Sequence, residues 1–418
     1  MCWRRSALTP GRARRLAWGL ALLLAVPGLA PPEPDGTAGA ASRPAPTFRY
    51  GMFEDANYVR GPADFAATVA DLQARQFDSV LFTNNFTFRD EPLLGVADAL
   101  GFGVVFAPHA ELSAAWWAPD APVSPEQARR VIYPIVDHVR DHPSLIGYNV
   151  LDDAPDRLAP KVSLAVQAFK ERDPERPAAP VLVEGHDEVA RAAETDVRLT
   201  YVYPALVVRP PCDFSLTAGR GPDAFSEHLR HVASFGPAQT PLWVVLQAHG
   251  QGGDYDPTAA DQTALREPTP EEVRLQHWLA LGEGAKGIFW FIYTTQQFWT
   301  GLRDNPRLYA EISDLARRTA PLRPILGGLE KAPDRATVAA TSEQPPPFRP
   351  YASTLVDGAG RVYVVAANRS CAPQQVAVDV PDARGALRDV ETGTSYPLGT
   401  TFSLRGGDGR LFEVVAGG

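Results

Sequence analysis

From Phe48 to about Pro321, short apolar runs alternate with segments whose apolar residues recur at helical spacing. The runs are FRYGMFED (48–55), FDSVLFTN (77–84), GVVFAP (103–108), SLIGYNVLDD (144–153), APVLVEG (179–185), VRLTYVYP (197–204), PLWVVLQAHG (241–250) and GIFWFIY (287–293). Between them, Phe65, Val69 and Leu72 mark the apolar face of a first helix. Ile132, Ile135, Val136 and Val139 mark another, and Leu275, Trp278 and Leu279 a third. This alternation predicts a parallel α/β sheet, and eight strands is the number that closes a (β/α)8 TIM barrel. An open doubly wound sheet would call for a Gly-rich phosphate loop after its first strand, and the sequence has none there. Ser124-Pro125-Glu126-Gln127 and Thr269-Pro270-Glu271-Glu272 read as capped helix starts. Pro134, inside the helix that follows Ser124, predicts a kink.

Beyond Pro321 the pattern changes. A Pro-rich joint at Gln344 to Pro350 lies among short β-branched runs, ATVAATS, RVYVVAAN, QQVAVDV and RLFEVV. Turn residues separate them, most clearly Asp357-Gly358 and Gly406-Gly407-Asp408-Gly409, which predicts a small all-β sandwich. The expected organisation is a barrel over 46–325 and a sandwich over 330–418.

Residues 1–40 read as a signal peptide. Arg4, Arg5, Arg12, Arg14 and Arg15 precede an apolar run from Leu16 to Ala30, and Ala38-Gly39-Ala40 offers an exit site. The run is short for a bilayer span and is interrupted by Pro27 and Gly28, so an uncleaved anchor is the lesser expectation. The protein is expected to be secreted or periplasmic, with no membrane contact after signal removal. Loss of the five arginines with Glu33 and Asp35 takes the net charge from −9 to −12. An acidic exported chain argues against nucleic acid as a partner. Cys212 and Cys371 fall in different predicted domains, which excludes a disulfide framework; two separate buried thiols are expected over a single interdomain bridge.

In barrel enzymes the active site lies at the C-terminal ends of the strands. Those ends supply Glu54 and Asp55, Asn84, His109, Asp152 and Asp153, Glu184, Tyr203, Gln247 and His249, and Tyr293. Carboxylates dominate. His109, His186 and His249 lie on different units without HxH or HExxH spacing, so no metal is expected and no cofactor is implied. Aromatic side chains are plentiful along the same rim: Trp116 and Trp117 after the third strand, Trp290 and Tyr293 in the eighth, Trp299 after it. Such rings stack on the C–H faces of sugars, while amides and carboxylates hold sugar hydroxyls. Trp290 and Trp243 have an equally good reading as filling of the barrel or its helix layer.

His142-Pro143-Ser144-Leu145-Ile146-Gly147-Tyr148, ending in Asp152-Asp153-Ala154-Pro155, resembles the HPxLxGYYLxDEP segment of bacterial glycoside-hydrolase-like barrels. Tyr203-Pro204 resembles their DxYP, and Gln247-Ala248 closes the seventh strand as theirs does. Arg266-Glu267-Pro268-Thr269, followed by Gly284-Ala285-Lys286-Gly287-Ile288, resembles the RxPTxxE and GAxG run before strand eight. The resemblance implies an acid after strand four that protonates a glycosidic oxygen, and a second carboxylate that attacks or stabilises the anomeric carbon. By position the acid is Asp153, with Asp152 a neighbour able to raise its pKa. Here Asp153 replaces the Glu of DEP, Ala154 is inserted, Gln247 cannot be a nucleophile, and Tyr201 stands where DxYP has its acid. Glu184, Glu54, Asp55, Asp254 and Asp256 are the possible second carboxylates.

The expected function is acid/base hydrolysis of a glycosidic bond in a polysaccharide or oligosaccharide. A barrel that binds carbohydrate without cleaving it, having lost the strand-seven nucleophile, is the alternative. A structural cell-surface module is a third. Asp153, Glu184 and Asp152 are the expected catalytic residues. Glu54, Asp55, Asn84, His109, Trp116, Trp117, Tyr203, Gln247, His249, Trp290 and Tyr293 are the expected binding residues.

Overall fold

The computed structural model describes residues 47–118, 122–183, 185, 187–206, 210–213, 223–237, 240–250, 265–296, 299–344, 348–381 and 383–416. The leader, Glu184, His186, Asp254 and Asp256 lie outside these residues.

The barrel strands are β1 (Arg49–Asp55), β2 (Ser79–Thr83), β3 (Gly103–Phe106), β4 (Leu145–Asn149), β5 in two pieces (Ala178–Ala179 and Val181–Leu182), β6 (Arg198–Val202), β7 (Leu242–Gln247) and β8 (Ala285–Phe291). Six fall within the apolar runs of the sequence, while β5 begins one residue and β8 two residues before theirs. Each pairs in parallel with its neighbours, and β1 pairs with both β2 and β8, so the sheet curls into a ring. β5 is split because Pro180 has no N–H for the ladder; its first piece pairs with β4 and its second with β6. Gly51 is required by the curl, since a Cβ there would stand 2.6 Å from Ser79 O and 2.7 Å from the Phe289 ring.

Two residues per pleat divide the strand side chains between two cores. Phe53, Leu81, Val105, Val181, Leu199, Val245 and Phe289 fill the barrel interior. Tyr50, Met52, Val80, Phe82, Val244, Ile288 and Trp290 face the surrounding helices. These are α1 (Pro62–Ala74), α2 (Thr87–Leu100), α3 (His109–Ala115), α4 (Pro125–Val139), α5 (Ala159–Arg172), α6 (Asp187–Ala192), α7 (Ala224–Ala233), α8 (Pro270–Gly282), α9 (Pro306–Thr319) and α10 (Arg323–Gly328). Ser124 caps α4 by accepting from Gln127 N, and α4 continues through Pro134 to Val139.

Thr269 and Glu272 form a reciprocal capping box at the start of α8. Glu272 is fully buried and also receives a two-pronged ion pair from Arg266 at 2.6 and 2.7 Å and the N–H of Cys212 at 2.9 Å. The RxPTxxE spacing therefore has a physical content. It ties the loop before α8 to the helix start through one carboxylate.

The C-terminal region is a β-sandwich. One sheet holds Glu330–Lys331, Tyr351–Val356, Val362–Ala367, Gly409–Ala416, Gly385–Asp389 and Ser395–Pro397; the other holds Thr337–Ala340, Gln374–Asp379 and Thr401–Leu404. Val364, Val376, Val378, Phe402, Leu404 and Phe412 pack between them. The sandwich covers α8 and α9. Trp278 Nε1 donates to Asp408, Tyr351 Oη to Glu283, and Arg318 bridges Glu391 and Asp408. Contrary to the expectation of two separate thiols, Cys212 and Cys371 form a disulfide, with Cα atoms 5.7 Å apart, that links the barrel to the sandwich. Covering by the sandwich explains why every residue of α8 from Glu272 to Gly282 is buried.

Candidate active site

The C-terminal strand ends surround a pocket of about 350 Å³. The barrel-interior core supplies its apolar lining through Phe53, Val181, Val245, Phe291 and Ile292. Its polar lining comes from successive strand ends: Asp55 after β1, Thr83 and Asn84 after β2, Asp152 and Asp153 after β4, Tyr201 and Tyr203 after β6, and His249 after β7. Leu265, Gln296 and Trp299 complete it. Three carboxyl groups and no Lys or Arg stand among the described lining residues.

The carboxyls differ in setting. Asp152 is half-buried, and that burial, with the nearby charges of Asp153 and Asp55, holds its pKa above the usual carboxylate range. Asp153 is exposed at the mouth of the pocket, hydrogen bonded to Tyr201, with a left-handed backbone at φ 51°. Asn84, also a lining residue, has φ 60°. Asn and Asp tolerate this conformation better than most residues, and both strand ends turn sharply into the pocket there. Asp55 accepts from Asn57 N at 2.9 Å and Asn84 Nδ2 at 3.1 Å, which fixes the orientation of its carboxyl group.

Burial pushes the Tyr201 and Tyr203 hydroxyls far above the usual phenol range, so both stay neutral. Their rings stack 4.6 Å apart. The Phe291–Ile292 peptide bond is cis.

Of the expected site residues, Asp55, Asn84, Asp152, Asp153, Tyr203 and His249 meet in this pocket. Several others do not line it. Trp116 is wholly buried, donates its indole N–H to Lys161 O, and joins the β3 loop to α5; it is core, not an exposed sugar platform. Trp117 is half-buried against the same cluster. Trp290 points to the helix layer and donates to Tyr50 Oη, and Tyr293 points outward to Asp71. Gln247 is fully buried; it accepts from Ala205 N and donates to the carbonyls of His249 and Arg266, pinning loops rather than facing the pocket.

His109 and Glu54 sit one layer back. His109 Nε2 donates to Asn149 O, which leaves Nδ1 to accept from Thr83 Oγ1; burial keeps this imidazole neutral, with its pKa lowered to about 4. Glu54 accepts from Asp55 N and Thr294 N, and burial pushes its pKa up to about 8.

Tyr201, Gln296 and the apolar lining were not among the expected binding residues. Tyr201 was visible only as the departure from DxYP, and nothing in the sequence near Gln296 marks it as a lining residue.

Among the described residues no group of three or more His, Cys, Asp and Glu is placed to hold a metal ion, and no helix is long and apolar enough to cross a membrane.

No protein-family model and no curated protein matches the sequence. Solved structures do match. A glycoside hydrolase aligns with a TM-score of 0.58 at 10% identity, covering 88% of this chain and 92% of its own. What the likeness shows is the fold, a (β/α)8 TIM barrel followed by a small β-sandwich. A family 5 glycoside hydrolase from Bacteroides vulgatus aligns with a TM-score of 0.54 at 10% identity, over 88% of this chain and 89% of that one. A family 27 β-L-arabinopyranosidase from Geobacillus stearothermophilus aligns with a TM-score of 0.52 at 11% identity, over 88% and 96%.

Proposed function

We propose that the protein is an exported glycoside hydrolase acting on an oligosaccharide or polysaccharide. The observation that carries this reading is the meeting of Asp55, Asp152 and Asp153 in one aromatic-lined pocket, with Asp152 held toward its protonated form. Burial, with the neighbouring charge of Asp153, disfavours ionisation of Asp152, so the Asp152–Asp153 pair retains a proton as a unit. That proton goes to the glycosidic oxygen as its bond to the anomeric carbon breaks, and the leaving group departs as an alcohol. Asp55, oriented by Asn57 and Asn84, is the opposing carboxylate that supports the oxocarbenium-like centre or activates water. Glu184, which the sequence also offers for this role, lies outside the described residues. Export is supported by the basic-apolar leader and by the Cys212–Cys371 disulfide, a bond favoured in oxidising compartments.

The test is release of reducing ends from a panel of glycans by the full chain and by Asp152→Asn and Asp153→Asn. Cleavage of at least one glycan is expected, with each variant slower by about 10²–10⁴-fold. Full turnover by both variants would refute the assignment. One observation favours the alternative of a carbohydrate-binding barrel: Gln247, at the strand-seven position, is committed to backbone groups. Tight glycan binding with no cleavage by the wild type would decide for it.

A further inference from the structure

His249 is 1% exposed and lines the pocket. Its Nδ1 lies 3.1 Å from Phe291 O, and a carbonyl can only accept, so Nδ1 carries the proton. In the neutral ring Nε2 is then a bare acceptor. Burial lowers the pKa to about 4, so the neutral ring prevails in ordinary buffers. Among the described residues Nε2 has no hydrogen-bond partner, although it is buried. Buried polar atoms without partners are rare and costly, and here the atom belongs to a side chain that lines a pocket.

Gln296 supplies the complement. Its Nε2 is also buried without a partner among the described residues, and it lines the same pocket. The backbones of Gln296 and Trp299 bond to each other in both directions, at 2.9 and 3.3 Å, which holds amide and indole in one piece of loop. The His249 ring packs edge-on to Trp299, Phe291 and Tyr203, with centroids 4.7 to 6.1 Å apart, so neither its rotation nor its tautomer is free.

We propose that His249 Nε2 and Gln296 Nε2 form a hydroxyl-recognition subsite that takes a sugar residue bearing no carboxylate. A sugar hydroxyl donates to His249 Nε2, and a hydroxyl oxygen accepts from Gln296 Nε2. Each unpaired atom thereby gains the partner that it lacks. A uronic acid is disfavoured by charge: its carboxylate would enter a pocket carrying three acids with no described cation. The inference rests on the carbohydrate reading above and narrows its substrate class.

The experiment is glycan-array binding by the full chain, with neutral oligosaccharides beside uronic-acid oligosaccharides of matched linkage. Wild type, His249→Phe and Gln296→Ala are compared, and the ¹⁵N resonances of the wild-type imidazole are recorded with and without a bound neutral glycan. Neutral glycans are expected to bind at least about 10-fold tighter than uronic ones, and each variant to weaken that binding by about 10-fold. The ¹⁵N spectrum is expected to show an unprotonated Nε2 that shifts on binding, a readout that needs no variant to fold. Equal or tighter binding of uronic glycans, unchanged affinity in folded variants, or a protonated Nε2 overturns this subsite while leaving the carbohydrate reading intact. Absence of binding to every glycan overturns both.

Discussion

Glu54 lies behind the pocket with both carboxyl oxygens engaged by backbone N–H groups of Asp55 and Thr294. Those bonds favour the charged form, but burial outweighs them and raises the pKa to about 8 from an ordinary 4.5. The folded protein therefore holds an extra proton between those two values. Stability from this group is fully present below about pH 4.5 and is lost as pH rises toward 8. Glu54→Gln, which keeps the shape without the titration, should flatten that decline, a difference on the order of a few kcal/mol between pH 5 and pH 8.5. Thermal unfolding of both proteins at the two pH values measures it; parallel losses would show that Glu54 is not the source. At this scale the sequence identified chemistry better than direction. Asp55, Asn84, Asp152, Asp153, Tyr203 and His249 were legible because strand ends must face the barrel mouth. Gln247 and Trp290 could not be assigned a side because a strand buried on both faces has no polar alternation; Trp116, at the end of α3, and Tyr293, just past β8, turn into packing that no local pattern announces.

Among the elements, the eight barrel strands were legible for the same reason that their sidedness was not: they are nearly continuous apolar runs. The helix caps at Ser124 and Thr269 were legible because capping is local. Helix α3, with the sequence HAELSAA, has too few apolar residues to declare a face. The sandwich strands Tyr351–Val356 and Thr401–Leu404 are short and mixed, and only pairing with neighbours within their sheets defines them. The start of α8 gives the sharpest prediction at this scale. Thr269→Ala removes one capping bond and should cost about 1 kcal/mol. Glu272→Ala also removes the carboxylate that takes the two-pronged Arg266 ion pair and the N–H of Cys212, and should cost about 3–5 kcal/mol. Urea unfolding midpoints of the two variants would measure this ranking, and equal costs would contradict the shared-carboxylate role of Glu272.

In the whole molecule the disulfide and the sandwich act together on the barrel. Cys212 and Cys371 are 159 residues apart, and no local pattern could pair them; only the packing of the sandwich on α8 brings them within reach. Closing so long a loop constrains the unfolded chain, by about 5 kcal/mol on the chain-entropy model. Reduction, or Cys371→Ser, should therefore lower the unfolding temperature by several degrees; an unchanged midpoint under reducing conditions would show that the bond adds nothing to stability. The same closed ring of strands gathers three acids from β1 and β4 around an apolar floor, and a retained proton in that pocket is the claim on which the hydrolase reading stands. It can be measured without a substrate by following the ¹³C carboxyl resonances of Asp side chains through a pH titration of wild type and Asp153→Asn. The account predicts one carboxyl, that of Asp152, still protonated at about pH 6, where an ordinary Asp has ionised, and a lower titration midpoint once Asp153 is neutral. An Asp152 carboxyl already ionised by about pH 5 would contradict it.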